Sequence, residues 1–361
     1  MKEQTPTIII LIGITGDLSK RKLLPAITNL ESKGQLPELF KLIGITRREE
    51  QGLFKMDLTN PGDYQKLKEH IEGVEKEWGI TAQKIFYLSV APKVSLPIIK
   101  LLGESGIAEL KHTKIMLEKP FGLDLENAKE FVNTMHAYFS EDQIYRVDHY
   151  LAKDSVQALR AHEFDFTTIN QIEISASETI GVDGREMFYE QTGALRDFIQ
   201  SHLLEVAATC ITPNNRLLAL KQLYVPTELP IVEYVKRGQY KGYKELVQNP
   251  DSNVETKVAV TLQSHDARLK DIFFTLKTGK ALDRKSTDIT VYNADGTRTV
   301  ISLNDTENAY ERVFIDAIEG NKDIFVGTEE MLETWRILNP IQTAWAESTD
   351  DLLLYEVGSE I

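Results

Sequence analysis

Ile8-Ile9-Ile10-Leu11-Ile12-Gly13-Ile14-Thr15-Gly16-Asp17-Leu18-Ser19-Lys20-Arg21-Lys22-Leu23 decides the fold. Residues 7–13 are a continuous apolar, mostly β-branched run, the pattern of a strand buried on both faces in a parallel sheet. Gly13 and Gly16 permit a tight turn and close backbone approach, and a helix opening near Asp17–Ser19 aims free N–H groups at a phosphate. The spacing is G-x-x-G-D-L rather than G-x-G-x-x-G, so a plain glycine turn between strand and helix is the competing reading.

Outward from that turn, the pattern of strand then helix repeats. A second strand, 41–46, ends in Arg47-Arg48 with no acid before Glu49. In dinucleotide folds an acid at this place grips the ribose 2′-hydroxyl of NAD, whereas an arginine accommodates the 2′-phosphate of NADP, so NADP is expected and NAD is the second candidate. Arg47 lies 34 residues after Gly13, against a usual spacing of ~20, which predicts an extended connection. Further strands are expected at 84–90, 114–117 and 143–147, with helices at 94–105 and 124–139. This alternation predicts an α/β, Rossmann-like, doubly wound parallel sheet over residues 1–150. Glu118-Lys119-Pro120-Phe121-Gly122 closes the fourth strand and would point Lys119 into the crevice at the strand ends. An exposed loop lysine is the alternative.

Arg146-Val147-Asp148-His149-Tyr150-Leu151-Ala152-Lys153 puts an acid, an imidazole, a phenol and an ammonium at the carboxyl end of the last of these strands. Strand alternation sends Asp148 and Tyr150 to one side and His149 to the other, and Lys153 adds a point charge suited to a phosphate. A polar sheet edge with a helix cap would read the same way. The pattern then changes to a strand at 169–177, a long helix at 187–211, strands at 255–264, 271–277 and 287–293, and helices at 308–320 and 329–347. This predicts an α+β domain over 151–361, built on a mostly antiparallel sheet. On the long helix, His202 shares an apolar stripe with Leu195, Phe198, Ile199 and Val206, as a core histidine would. A neutral imidazole oriented by a carboxylate such as Asp148 would instead be a general base suited to pH near 7. Asp197 lies about 140° from His202 around an α-helix axis. Thr278-Gly279-Lys280-Ala281-Leu282-Asp283-Arg284-Lys285 ends a strand with three cations. Lys236-Arg237-Gly238-Gln239-Tyr240-Lys241 is a second basic cluster, expected to be a solvated turn.

A net charge of −14 over 361 residues argues against a nucleic-acid partner, whose binding rests on neutralised phosphates. The single cysteine, Cys210, excludes an intramolecular disulfide and a multi-cysteine metal site, and its apolar helical setting predicts an inert buried thiol. The N-terminal apolar run is too short to span a bilayer, and no targeting peptide is apparent, so no membrane association and a cytoplasmic location are expected.

Together these residues resemble the glucose-6-phosphate dehydrogenase family. The segments that carry the resemblance are GITGDLSKRKL, GITRRE, EKPFG, DQIYRVDHYLAK, ISASETIGVDGRE, GALRDFIQSHLLE, KRGQY, TGKAL, NAYERVFIDAI and TWRILNPI, in the family's order from residue 8 to about 345. The resemblance implies oxidation of glucose 6-phosphate at C1 to 6-phosphogluconolactone with hydride passing to NADP⁺, in the pentose phosphate pathway and without a metal. It implies that His202 is the base and Asp148 its orienting acid, that His149, Tyr150 and Lys153 hold the 6-phosphate, and that Glu178 and Asp197 bind sugar hydroxyls. Lys119 and Lys280 would line the substrate pocket, with Lys119 also near the nicotinamide. Gly13, Thr15, Gly16, Asp17 and Leu18 would surround the cofactor's pyrophosphate, Arg47 its 2′-phosphate, and the chain would form a homo-oligomer, a dimer. The chain departs from the family in being shorter, in lacking the RFAN-type motif within 159–170, and in a basic cluster that leaves open whether Arg284 or Lys285 reaches substrate. A dehydrogenase of a related sugar or amino-sugar 6-phosphate is the alternative.

Overall fold

The computed structural model describes residues 5–305 and 308–361, and in it the chain forms two compact units. The first contains six parallel strands: β1 (Thr7–Ile12), β2 (Phe40–Thr46), β3 (Phe54–Lys55), β4 (Gln83–Leu88), β5 (Thr113–Leu117) and β6 (Ile144–Val147). Their order is β3-β2-β1-β4-β5-β6, and the antiparallel strand Phe325–Val326 is added beside β6. All six residues of β1 and all six of β4 are buried, as their unbroken apolar cores require. The strand order reverses between β1 and β4, the place where doubly wound sheets open a crevice beyond the strand ends. The helix Pro61–Trp78, not expected from the sequence, turns Tyr64, Leu67, Ile71 and Val74 inward at helical spacing. Asn60 caps its start by accepting from the Gly62 N–H, and Gly79 ends it in the left-handed region.

The first unit is not continuous in sequence. It runs through Gly122, resumes over Glu126–Ala152, and takes back the segment ending at Thr328 that holds the helix Ala309–Glu319. Tyr310, Val313, Phe314 and Ala317 are buried on that helix, and the Phe314 ring lies 5.6 Å from that of Tyr87 in β4. The sequence reading placed this helix with the second half. It joins the first because its apolar face covers the first sheet.

The second unit holds β7 (Ile169–Ser177), β8 (Val235–Tyr240), β9 (Lys257–Ser264), β10 (Phe273–Gly279), β11 (Ser286–Asn293), β12 (Arg298–Ser302) and β13 (Leu352–Tyr355). The order is β12-β11-β7-β10-β9-β8-β13. The β7–β10 and β8–β13 pairs are parallel and the others antiparallel, so the expected mostly antiparallel sheet is present. Two expectations fail here. The Lys236–Lys241 cluster is not a solvated turn: Lys236 to Tyr240 lie within β8. Arg237 is buried there because its Nε donates to Asp351 Oδ1 at 2.9 Å and its guanidinium lies 4.5 Å from the Trp345 ring centroid. The 187–211 helix is not continuous either. Glu186–Ala194 breaks at Gly193 (φ 61°, ψ 179°), Leu195–Leu203 is π-helical, and Leu204–Ile211 returns to α.

Candidate active site

In the first unit the glycine turn is built as its spacing requires. Gly13 has φ +93°, and a Cβ there would meet the Ser89 carbonyl oxygen at 2.2 Å. The Gly16 N–H donates to the Gly13 carbonyl at 2.9 Å, and Ser19 Oγ donates to the same carbonyl at 2.9 Å and is hydrogen-bonded with Ser89 Oγ at 3.1 Å, which ties the β1 turn to the end of β4. Thr15 and Asp17 are exposed and Leu18 half-buried around the start of the following helix. The Asp17 carboxylate pairs with Arg21 at 2.7 Å, one helical turn on. Arg47 is exposed just beyond β2, with no carboxylate inside that strand. A turn closed by glycine with a helix start beside it fits the pyrophosphate of a dinucleotide, and the charge of Arg47, past β2, also acts on Asp57.

Beyond β5 and β6 a polar group assembles. The Lys119–Pro120 peptide is cis. Lys119 Nζ donates to Asp148 Oδ2 at 2.7 Å, and the Tyr150 N–H donates to Asp148 Oδ1 at 2.9 Å, so both oxygens of a carboxylate without exposed side-chain surface are engaged. The His149 ring stacks on Tyr310 at 6.1 Å and 12°, and meets Tyr150 edge-on at 5.1 Å. The first unit thus brings together Lys119, Asp148, His149 and Tyr150. Behind them Glu118 accepts from the Tyr87 and Tyr310 hydroxyls. Burial pushes its carboxyl up to about 7; the two hydroxyl bonds and the Lys119 ammonium oppose the rise, and the charge of Asp148 adds to it.

The second unit collects the remaining residues. Lys280, just past β10, pairs with Glu178 and lies 3.7 Å from Asp197 and 5.6 Å from the Tyr189 ring centroid. The backbone fixes this pair: the Glu178 N–H donates to the Gly279 carbonyl at 3.0 Å and the Leu282 N–H to the Glu178 carbonyl at 2.9 Å. Arg185 approaches Asp197 from the other side at 3.7 Å. Lys153 also belongs to this unit, where its ammonium donates to the Leu303 carbonyl at 3.0 Å. Arg284 and Lys285 are exposed.

His202 sits on the π-helical segment, 7% exposed, with its ring 5.3 Å from that of Phe198. An i→i+5 ladder puts more residues into each turn than an α-helix. Asp197 and His202 therefore stand nearer one face than the α-helical 140° implies. Glu255 starts the segment: its Oε1 accepts from the Leu195 N–H at 2.8 Å, its carbonyl accepts from the Ala194 N–H at 2.9 Å, and a Cβ on Gly193 would meet that Oε1 at 2.4 Å. Tyr87, Glu118, Tyr189, Glu255 and Tyr310 were not picked out from the sequence. Glu118 and Tyr310 stood inside quoted segments, but nothing local marks them as partners. Cys210 is buried and burial pushes its thiol up to about 12, as an inert thiol requires.

Two family descriptions match in succession and together cover almost the whole chain. "Glucose-6-phosphate dehydrogenase, NAD binding domain" matches residues 10–52 and 49–158, and "Glucose-6-phosphate dehydrogenase, C-terminal domain" matches 158–306 and 297–360. The chain belongs to the glucose-6-phosphate dehydrogenase family. Among its relatives is the glucose-6-phosphate 1-dehydrogenase of Bacillus subtilis strain 168, 29% identical over 465 aligned positions that take in 99% of this chain and 95% of the relative. That alignment is far longer than the 361-residue chain, so many of the relative's positions have no counterpart here. A solved glucose-6-phosphate dehydrogenase in complex with glucose 6-phosphate has the same fold, with a TM-score of 0.89 and 22% identity over 100% of this chain and 96% of that one. The Mycobacterium avium enzyme gives a TM-score of 0.82 and 24% identity over 99% and 95%. Among the described residues no helix is long and apolar enough to cross a membrane.

Proposed function

We propose that the protein oxidises glucose 6-phosphate at C1 to 6-phospho-D-glucono-1,5-lactone with NADP⁺ as acceptor. The observation that carries this reading is Asp148, a fully buried carboxylate at the carboxyl end of β6, hydrogen-bonded by Lys119 within a chain matched from end to end by the family's two domains. The nicotinamide, when bound, accepts the hydride. His202 takes the proton of the C1 hydroxyl, the O–H electron pair becomes the second C–O bond of the lactone, and the C1–H pair leaves with the hydrogen. Asp148 stabilises the imidazolium so formed, and a general base of this kind is worth roughly 10²–10⁴-fold.

His149, Tyr150 and Lys153 hold the 6-phosphate, which supplies binding energy remote from C1. Glu178 and Asp197 accept from sugar hydroxyls, Lys280 keeps those two carboxylates in place, and Lys119 reaches both sugar and nicotinamide. Gly13, Thr15, Gly16, Asp17 and Leu18 surround the pyrophosphate. Arg47 takes the 2′-phosphate, so Arg47→Ala raises the Michaelis constant for NADP⁺ about tenfold, one lost charged contact, and that for NAD⁺ by far less. Equal effects on the two cofactors would remove that role. The same reading makes the protein a cytoplasmic homo-oligomer, a dimer, that feeds the pentose phosphate pathway.

The many relative positions without counterpart favour one second reading, a dehydrogenase of another sugar or amino-sugar 6-phosphate whose pocket is reshaped by shorter loops. Nicotinamide reduction, measured with NADP⁺ and NAD⁺ against glucose, glucose 6-phosphate, glucosamine 6-phosphate and other hexose 6-phosphates, decides between them. The highest kcat/KM for glucose 6-phosphate with NADP⁺ supports the first reading, and a clear preference for a different phosphate supports the second.

A further inference from the structure

Glu118 precedes Lys119, yet the reaction above gives it no task. Its carboxylate is gripped from two elements: Tyr87 of β4 and Tyr310 of the Ala309–Glu319 helix each donate a hydroxyl to it. Both tyrosines are buried. One residue along the chain, Lys119 reaches Asp148, and the far side of the Tyr310 ring stacks on His149. A single carboxyl therefore lies within reach of the charges of Lys119 and Asp148 and is joined through the Tyr310 side chain to the His149 ring. The two buried hydroxyls satisfy a carboxyl held out of water and fix its orientation beside Lys119 in the chain.

We propose that Glu118, clamped by Tyr87 and Tyr310, is a positioning residue that fixes the Lys119–Asp148 pair, and with it the charge of this half of the active site. The charged and titratable groups that face it are Tyr87, Tyr310, Lys119 and Asp148. Its own carboxyl, pushed up to about 7 by burial, exchanges its proton in the working range. Protonated, it leaves one carboxylate opposite one ammonium. Ionised, it adds a second negative charge, pulls Lys119 between two carboxylates and favours the positive charge that develops on the proposed base. Turnover therefore rises as Glu118 ionises. The kinetic part of this rests on the proposed reaction, but the titration does not.

Carbon-13 NMR of the full-length protein labelled at glutamate side chains, read across pH, tests the clamp without any substrate. One carboxyl is expected to titrate near neutrality, to vanish in Glu118→Gln, and to move to higher pH in Tyr310→Phe, because that variant loses a hydrogen bond to the charged form. In steady-state assays Glu118→Gln lowers kcat about tenfold at alkaline pH, the scale of one charged hydrogen bond, moves KM for the sugar phosphate less, and removes one ionisation from the pH profile. Tyr310→Phe shifts that ionisation upward and carries the test alone should Glu118→Gln fail to fold. The absence of a carboxyl titrating near neutrality, or a Glu118→Gln profile that overlays the wild type, overturns the proposal. The expected titration in a protein inactive on every sugar phosphate supports the clamp and refutes the proposed function.

Discussion

A methyl group at residue 13 would lie 2.2 Å from the Ser89 carbonyl, in a backbone conformation that L-residues avoid by about 1–2 kcal/mol. Gly13→Ala should lower the melting temperature and remove cofactor binding together, read by thermal unfolding and calorimetric titration with NADP⁺. An alanine variant that binds the cofactor normally would show that this turn does not hold it. At this scale the sequence was legible wherever a residue type has one main use: glycine at a turn, lysine after a strand, a carboxylate within a polar run. It was not legible where a residue's role comes from distant partners. Glu118 is one of many glutamates until Tyr87 and Tyr310 close on it, 31 residues before it in one case and 192 residues after it in the other.

The segment 186–211 marks what periodicity can and cannot tell. Its apolar residues recur at helical spacing, so a helix was expected, and helix there is. The break at Gly193 and the π-helical ladder after it depend on Glu255, whose carboxylate caps the Leu195 N–H from the loop before β9. Glu255→Ala leaves that buried donor without its acceptor, a loss of about 1–3 kcal/mol, and lets the segment relax toward α geometry. The expected result is a lower unfolding free energy with a larger fall in kcat than in substrate affinity. Unchanged turnover would separate the π-helical ladder from catalysis. The Lys236–Tyr240 strand was missed for a related reason, since two cations beside a glycine read as a turn until Asp351 and Trp345 make Arg237 a residue that can be buried. The Pro61–Trp78 helix was missed although its Asn60 cap, Pro61 and Gly79 are all written in the chain.

Across the whole molecule the two sheet types followed from the alternation of patterns, but the return of 309–319 and 325–326 to the first unit did not. Long-range strand pairing leaves little local trace, because Phe325–Val326 is only a two-residue strand whose partner β6 lies far earlier in the chain. Stability against pH is a property of the same scale, and two carboxyls pull it in opposite directions. Glu118 has its folded-state value raised from 4.5 to about 7, so its contribution is whole below about 4.5 and is lost as pH rises through about 7. That loss is on the order of 3 kcal/mol. Glu141 works the other way: burial would raise it, but the hydrogen bond and charge of Arg146, joined by His136 and Thr328, hold it down to about 2. Its contribution is present above 4.5 and fades as pH falls toward 2. Urea unfolding of Glu118→Gln against wild type should therefore show the variant gaining stability relative to wild type between pH 5 and 8. A difference independent of pH would contradict the assignment.

The proposed reaction depends most on the imidazole at residue 202. His202→Asn keeps the size and polarity of the side chain but cannot take up a proton, so turnover of glucose 6-phosphate with NADP⁺ should fall by at least about 10²-fold. Binding of the sugar phosphate, measured by calorimetry on the same preparation, should stay close to wild type. Turnover near the wild-type rate with intact binding would contradict the central claim.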